Sequence, residues 1–155
     1  MNRYCKELNK TWLNALLVVV MTTLVAVMYV WKFAEGSMIY GNLAKYYPFV
    51  AMAIMVIILF LGNNLTAKHI RRLKSENLDI KLKVYKKEYG KRLKYFSAIS
   101  LVAVVSMIVF ANMFYVIFAS LSFLLVATSR VYEVKVKYEL NLSEEEIKKI
   151  DKLKL

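Results

Sequence analysis

The sequence predicts an all-α membrane protein: a four-transmembrane-helix bundle of two helical hairpins, N-in and C-in, with a small basic cytoplasmic region. Three observations lead there. The 155-residue chain is 59% hydrophobic yet carries a net charge of +12, and a chain this short cannot enclose that much apolar surface as a soluble domain. Its charges stand in blocks, separated by uncharged runs of membrane length. When those runs are taken as spans, 21 of the 23 Lys and Arg residues fall on one side, the asymmetry that marks the cytoplasmic face.

Taken in order, residues 1–10 form a cytoplasmic tail with Arg3, Lys6 and Lys10. Residues 11–31 are uncharged, and the first span is read as 11–33, near the roughly 20 residues needed to cross a bilayer. Its apolar stretch is longer than the h-region of a signal peptide, and Trp31-Lys32-Phe33 offers no small-residue cleavage site, so retention is expected. An outer loop (34–45) follows, and Lys32 and Lys45 are the two cations on the far side. The second span is 46–67, and the basic cytoplasmic loop 68–94 carries eleven Lys and Arg residues. The third uncharged run, 95–129, has 35 residues; as one helix it would reach about 52 Å, too long for the bilayer. It divides at Asn112, the residue there best suited to a turn, into spans 95–111 and 114–129. The tail 130–155 brings seven more cations, which a three-span arrangement would strand outside. Tyr29, Trp31, Tyr46, Tyr47 and Tyr115 then line the outer boundary, and Trp12, Tyr95 and Tyr132 the inner one, as an aromatic belt does.

The cytoplasmic segments are harder to read. Lys68 to Ser75 continues the second span as a helix, with a stop at Ser75-Glu76-Asn77. Beyond it Leu78, Ile80, Leu82 and Val84 alternate with charged residues, a strand-like period of two, whereas Lys86-Lys87-Glu88-Tyr89 favours helix. Val134, Val136, Tyr138, Leu140 and Leu142 alternate in the same way. Short β-strands pairing these two runs are therefore one expectation, and helices the other. Ser143 with Glu146 forms a capping-box pattern that opens an amphipathic helix, 144–154.

The chemistry-bearing residue types are sparse. No ionisable residue lies within the uncharged stretches, which argues against a proton-coupled antiporter. One His (His69) and one Cys (Cys5) cannot build a bis-imidazole haem site, a metal cluster or a disulfide relay, and no phosphate loop or nucleophile elbow is present. No catalytic residue, metal or cofactor is expected, and the chain is read as a non-enzyme. Asn14, Thr22, Ala26, Ser97, Ser100, Ser106 and Asn112 are the candidate helix-packing or pore-lining residues, with Thr22 and Ala26 at small-xxx-small spacing. Arg71, Arg72, Lys74, Lys86, Lys87, Lys91 and Arg92 are the candidate contacts to anionic lipid headgroups or a partner; nothing in their spacing selects nucleic acid.

The functional expectation is a non-enzymatic scaffold or complex subunit of a bacterial cytoplasmic (inner) membrane, alone, as a homo-oligomer or in a membrane-protein complex. The alternative is a self-assembling pore or effector, or a bacteriocin-type immunity protein, and third in order comes a transporter of an uncharged or lipidic solute. The topology has a direct test: a reporter fused after Leu155 is expected to be active only in the cytoplasm, and periplasmic activity would overturn the four-span arrangement.

Overall fold

The computed structural model describes residues 1–33, 42–73 and 77–152. They form α1 (Asn2–Phe33), α2 (Asn42–Arg72), α3 (Leu78–Phe110), a 3₁₀ turn (Met113–Tyr115), α4 (Val116–Thr128), α5 (Glu133–Leu140) and α6 (Glu144–Lys152). By length and composition α1, α2 and α3 can each cross a membrane. A fourth crossing is counted if Met113–Thr128 and the following Glu133–Leu140, bent 86° from it, make one broken span.

α3 is the central helix, against which α1, α2 and α4 pack. It ends where Ala111 adopts the left-handed conformation (φ 47°) and Asn112 turns extended, its Oδ1 accepting the Phe114 N–H at 2.8 Å. That Asx turn supplies a partner for a backbone donor that the break would orphan. α4 then returns along α3. The Ser122 hydroxyl donates to the Phe96 carbonyl at 2.6 Å, the Tyr89 hydroxyl to the Ser129 carbonyl at 2.9 Å, and the Phe110 and Tyr115 rings meet at the turn. On α1, the Trp12 indole N–H donates to the Val126 carbonyl at 2.7 Å, and the Asn9 amide exchanges two hydrogen bonds with the Val131 backbone, at 3.0 and 3.1 Å. The N-terminal turns of α1 and the chain leaving α4 therefore meet at one end of the bundle.

Val19 and Ala26 of α1, Ile99, Ala103 and Met107 of α3, and Ala119 and Val126 of α4 are buried in the bundle. The side chains left outside are equally apolar: Leu17, Met21, Val25 and Met28 on α1, Phe49, Val56, Ile57 and Phe60 on α2, Ile117 and Leu124 on α4. A girdle of this extent is an interaction surface, not a surface adapted to water. α2 attaches through a narrow stripe, Ala51, Met55, Gly62, Thr66 and Ile70. At Gly62 the two helices approach closely, since a Cβ built there would stand 2.8 Å from the Cβ of Tyr95.

One sequence expectation requires correction. The described residues contain no strand: 78–94 is the first half of α3, and 133–140 is α5. Alternation misled because a helix can also use it. In α5, Val136 and Leu140 are buried four apart while Val134 and Tyr138 are exposed four apart, so both patterns are present in eight residues. A helix also satisfies its own backbone, whereas two lone strands would leave their edges open. Residues 2–10 are helical, as the first turns of α1. Asn77 begins α3 in extended geometry, while the expected stop at 75–76 and the end of the C-terminal helix at 153–154 lie outside the described residues.

The close approach makes a paired prediction. Gly62→Ala is expected to force α2 away from α3 and cost about 1–3 kcal/mol, the usual range for overpacking, seen as a lower thermal midpoint in detergent. Gly90→Ala, with nothing within 4 Å of its added Cβ, is expected to leave the midpoint unchanged or raise it by up to about 1 kcal/mol equivalent through helix propensity.

Candidate functional site: a basic helical head

At the end of the bundle where the chain termini meet, the helices run past their apolar stretches and form a charged head. Extending an existing helix requires no new nucleation, so the basic segments stay helical without strong local signals. Tyr4 and Leu8 of α1, Ile70 of α2, Leu82, Tyr85, Tyr89 and Leu93 of α3, Val136 and Leu140 of α5, and Ile150 of α6 are all buried there. On α3 the spacing of three and four residues puts them on one face.

Three phenols tie this core together. Tyr4 donates to the Leu82 carbonyl at 2.7 Å and Tyr85 to Glu139 Oε2 at 2.6 Å, while Tyr89 makes the bond to Ser129 described above. Burial pushes all three hydroxyls above the ordinary phenol range, reinforced at Tyr85 by the Glu139 charge. Ion pairs are built in beside them. Buried Lys81 reaches Glu146 Oε1 at 2.9 Å, fastening α6 to α3. Buried Glu88 accepts from Lys91 at 2.6 Å and from His69 Nδ1 at 3.3 Å. Burial acts to raise the Glu88 carboxyl, but those two partners outweigh it and hold it below its ordinary value. At the surface, Lys86 pairs with Glu7 at 2.6 Å.

α6 begins with the reciprocal capping box. The Ser143 N–H donates to Glu146 Oε2 at 2.9 Å, and the Glu146 N–H donates to the Ser143 hydroxyl at 3.3 Å. Glu146 thus both caps its helix and pairs with Lys81, and the Ser143 N–H followed by Lys81 holds its carboxyl below the ordinary range.

The candidate residues separate into groups. Of the basic set, Arg72 and Lys87 are exposed, Lys86 and Lys91 have the acidic partners just named, and half-buried Arg92 reaches Asn63 Oδ1 at 3.3 Å and lies over the Phe96 ring. Arg71 lies on α2, and Lys74 falls outside the described residues. Asn64, Ala67, Lys68 and Arg72 line an open groove of about 420 Å³. Of the packing set, Ala26, Ser100 and Ser106 are buried, Thr22 and Ser97 are half-buried, and Asn14 and Asn112 are exposed. Ser106 and Thr22 return their hydrogen bonds to their own helices, and Ser100 meets Thr23 of α1 at 3.4 Å. Sequence reasoning missed Lys81, Glu139 and Tyr85, although the Leu82, Tyr85, Tyr89 and Leu93 spacing was available as a helical signal. Among the described residues no group of three or more His, Cys, Asp or Glu side chains could hold a metal ion. No family model, curated protein or solved structure matches the chain.

Lys81→Ala is expected to release α6, raising amide exchange across Glu144–Lys152 and costing the head about 1–3 kcal/mol for the lost charged bond; unchanged exchange there would count against the pairing. The head also has a pH window. Depressed carboxyls at Glu88 and Glu146 contribute stability above about pH 4.3 that is lost as pH falls through their folded values, while the raised phenols contribute stability that is full below about pH 10 and lost above it. Near-ultraviolet circular dichroism is expected to hold level between these limits and to fall on both sides.

Proposed function

We propose that this chain is a non-enzymatic integral scaffold or complex subunit of a bacterial cytoplasmic membrane, with four spans, both termini inside, and the head as its contact surface. The observation that carries the reading is the head itself: five helices share one small core and leave Arg72, Lys83, Lys87 and Lys94 projecting from it. Such a body can hold a constant surface toward a partner, and its exposed cations attract anionic headgroups by about 1 kcal/mol each near the membrane. The apolar girdle supports insertion, and α4 with its 3₁₀ turn, about 25 Å long, serves as the short fourth crossing. The interior hydroxyls weigh against a pore within one chain, because they bond to backbone or to one another instead of facing a lumen.

Crosslinking in native membranes followed by purification is expected to recover a stable partner through the head. Lys83→Gln with Lys87→Gln is expected to weaken recovery several-fold without altering insertion, since neither side chain is buried. A chain that recovers nothing, and whose overproduction collapses the membrane potential, would turn the reading toward the pore.

A further inference from the structure

Where α2, α3 and α5 meet, at the level where the apolar girdle ends, two cations lack an acid of their own. Arg92 stands one turn before Phe96 on α3; its Nε–H is covered and has no acceptor among the described residues, and the one bond its guanidinium makes to them is to the Asn63 amide oxygen of α2 at 3.3 Å. Lys135 lies half-buried in the first turn of α5, with no ion pair to any described residue. Burial depresses its ammonium, Glu139 opposes that, and the Arg92 charge depresses it further, so the two cations are within electrostatic reach of each other. Among the described residues Glu139 is the one acid acting on Lys135, and one of its oxygens already accepts from Tyr85. Arg92 and Lys135 against Glu139 leave one positive charge over. The Asn63 amide nitrogen adds a donor to this cluster.

We propose that Arg92, Lys135 and Asn63 form a binding site for the phosphodiester of an anionic glycerophospholipid. A phosphodiester carries one negative charge and presents two oxygens, which match a guanidinium fork. The position suits a lipid because acyl chains leaving the site lie along the exposed apolar face of α2, Phe60 and Leu61. The site deepens the scaffold reading, and it rests on membrane insertion.

The test uses the full chain, purified in mild detergent and reconstituted in nanodiscs of phosphatidylcholine with a minor share of phosphatidylglycerol. Retained lipid is read by native mass spectrometry. The parent protein is expected to keep one phosphatidylglycerol through delipidation. Arg92→Gln and Lys135→Gln are each expected to retain it about fivefold less, and the exposed control Lys148→Gln on α6 is expected to match the parent. Arg92→Lys, which keeps the charge but not the fork, is expected to fall between. A parent that keeps no phosphatidylglycerol overturns the site, as does equal retention by Arg92→Gln and Lys135→Gln with unchanged circular dichroism. Displacement of the lipid by equimolar inorganic phosphate would reassign the site to a soluble anion, and equal retention of phosphatidylcholine would remove the requirement for an anionic lipid. Extraction of the chain from membranes by alkaline carbonate would defeat the membrane reading instead, so the two failures are distinguishable.

Discussion

The structure depends on α3 presenting one continuous buried face from end to end. Leu82, Tyr85, Tyr89, Leu93, Phe96, Ser100, Ala103, Met107 and Phe110 follow one another in steps of three and four residues, all buried, the repeat that keeps one seam of a helix against its neighbours. The face is one, but its two halves are held by different forces. In the head, water drives Leu82, Tyr85 and Tyr89 inward by the hydrophobic effect. Under the proposed insertion, lipid along the apolar girdle would offer no such drive, and close packing at small residues and hydrogen bonds would take its place. The residue choice follows: large aromatic side chains in the first half, and Ser100, Ala103 and Ser106 with Ala26 and Ala119 opposite in the second.

The chain's charge divides along the same line. Lys81, Lys86 and Lys91 are matched by Glu146, Glu7 and Glu88 and belong to the architecture. Arg130 lies between the Trp12 and Tyr132 rings, where its charge can be stabilised by aromatic faces. Lys83, Lys87 and Lys94 are exposed without a partner among the described residues. The 23 Lys and Arg residues are thus partly internal bracing and partly outward field, and only the second part is available to a partner.

The apolar helices and the break at Asn112 were legible because both rest on composition and on one residue's local chemistry. The capping box of α6 was legible for the same reason: Ser143 and Glu146 satisfy each other within four residues. The head was not, because its elements are specified by burial against distant segments. Leu78, Ile80 and Leu82 read as alternation only while Tyr85 and Tyr89 are ignored, and nothing near Lys81 in the chain announces that its partner lies 65 residues later. The basic candidates suffered in the same way. Lys86 looks like free surface charge until Glu7 of α1 is placed beside it, whereas Lys91 pairs with Glu88 only three residues away, a pairing that needed just the helix to be recognised. Glu146 was read as a cap, and its second bond, to Lys81, could not be read locally.

The fastening of α6 to α3 also bears on the order in which the molecule is made. A chain emerging from the ribosome can place α1, α2 and α3 long before Glu133–Leu140 and Glu144–Lys152 exist. Until they arrive, the faces of Tyr85 and Tyr89 stand open and Lys81 is without its carboxylate. Exposed apolar surface of that kind is what chaperones and proteases recognise. The head is therefore a seal that closes only once α5 and α6 have been made, and a product truncated before them is exposed to disposal.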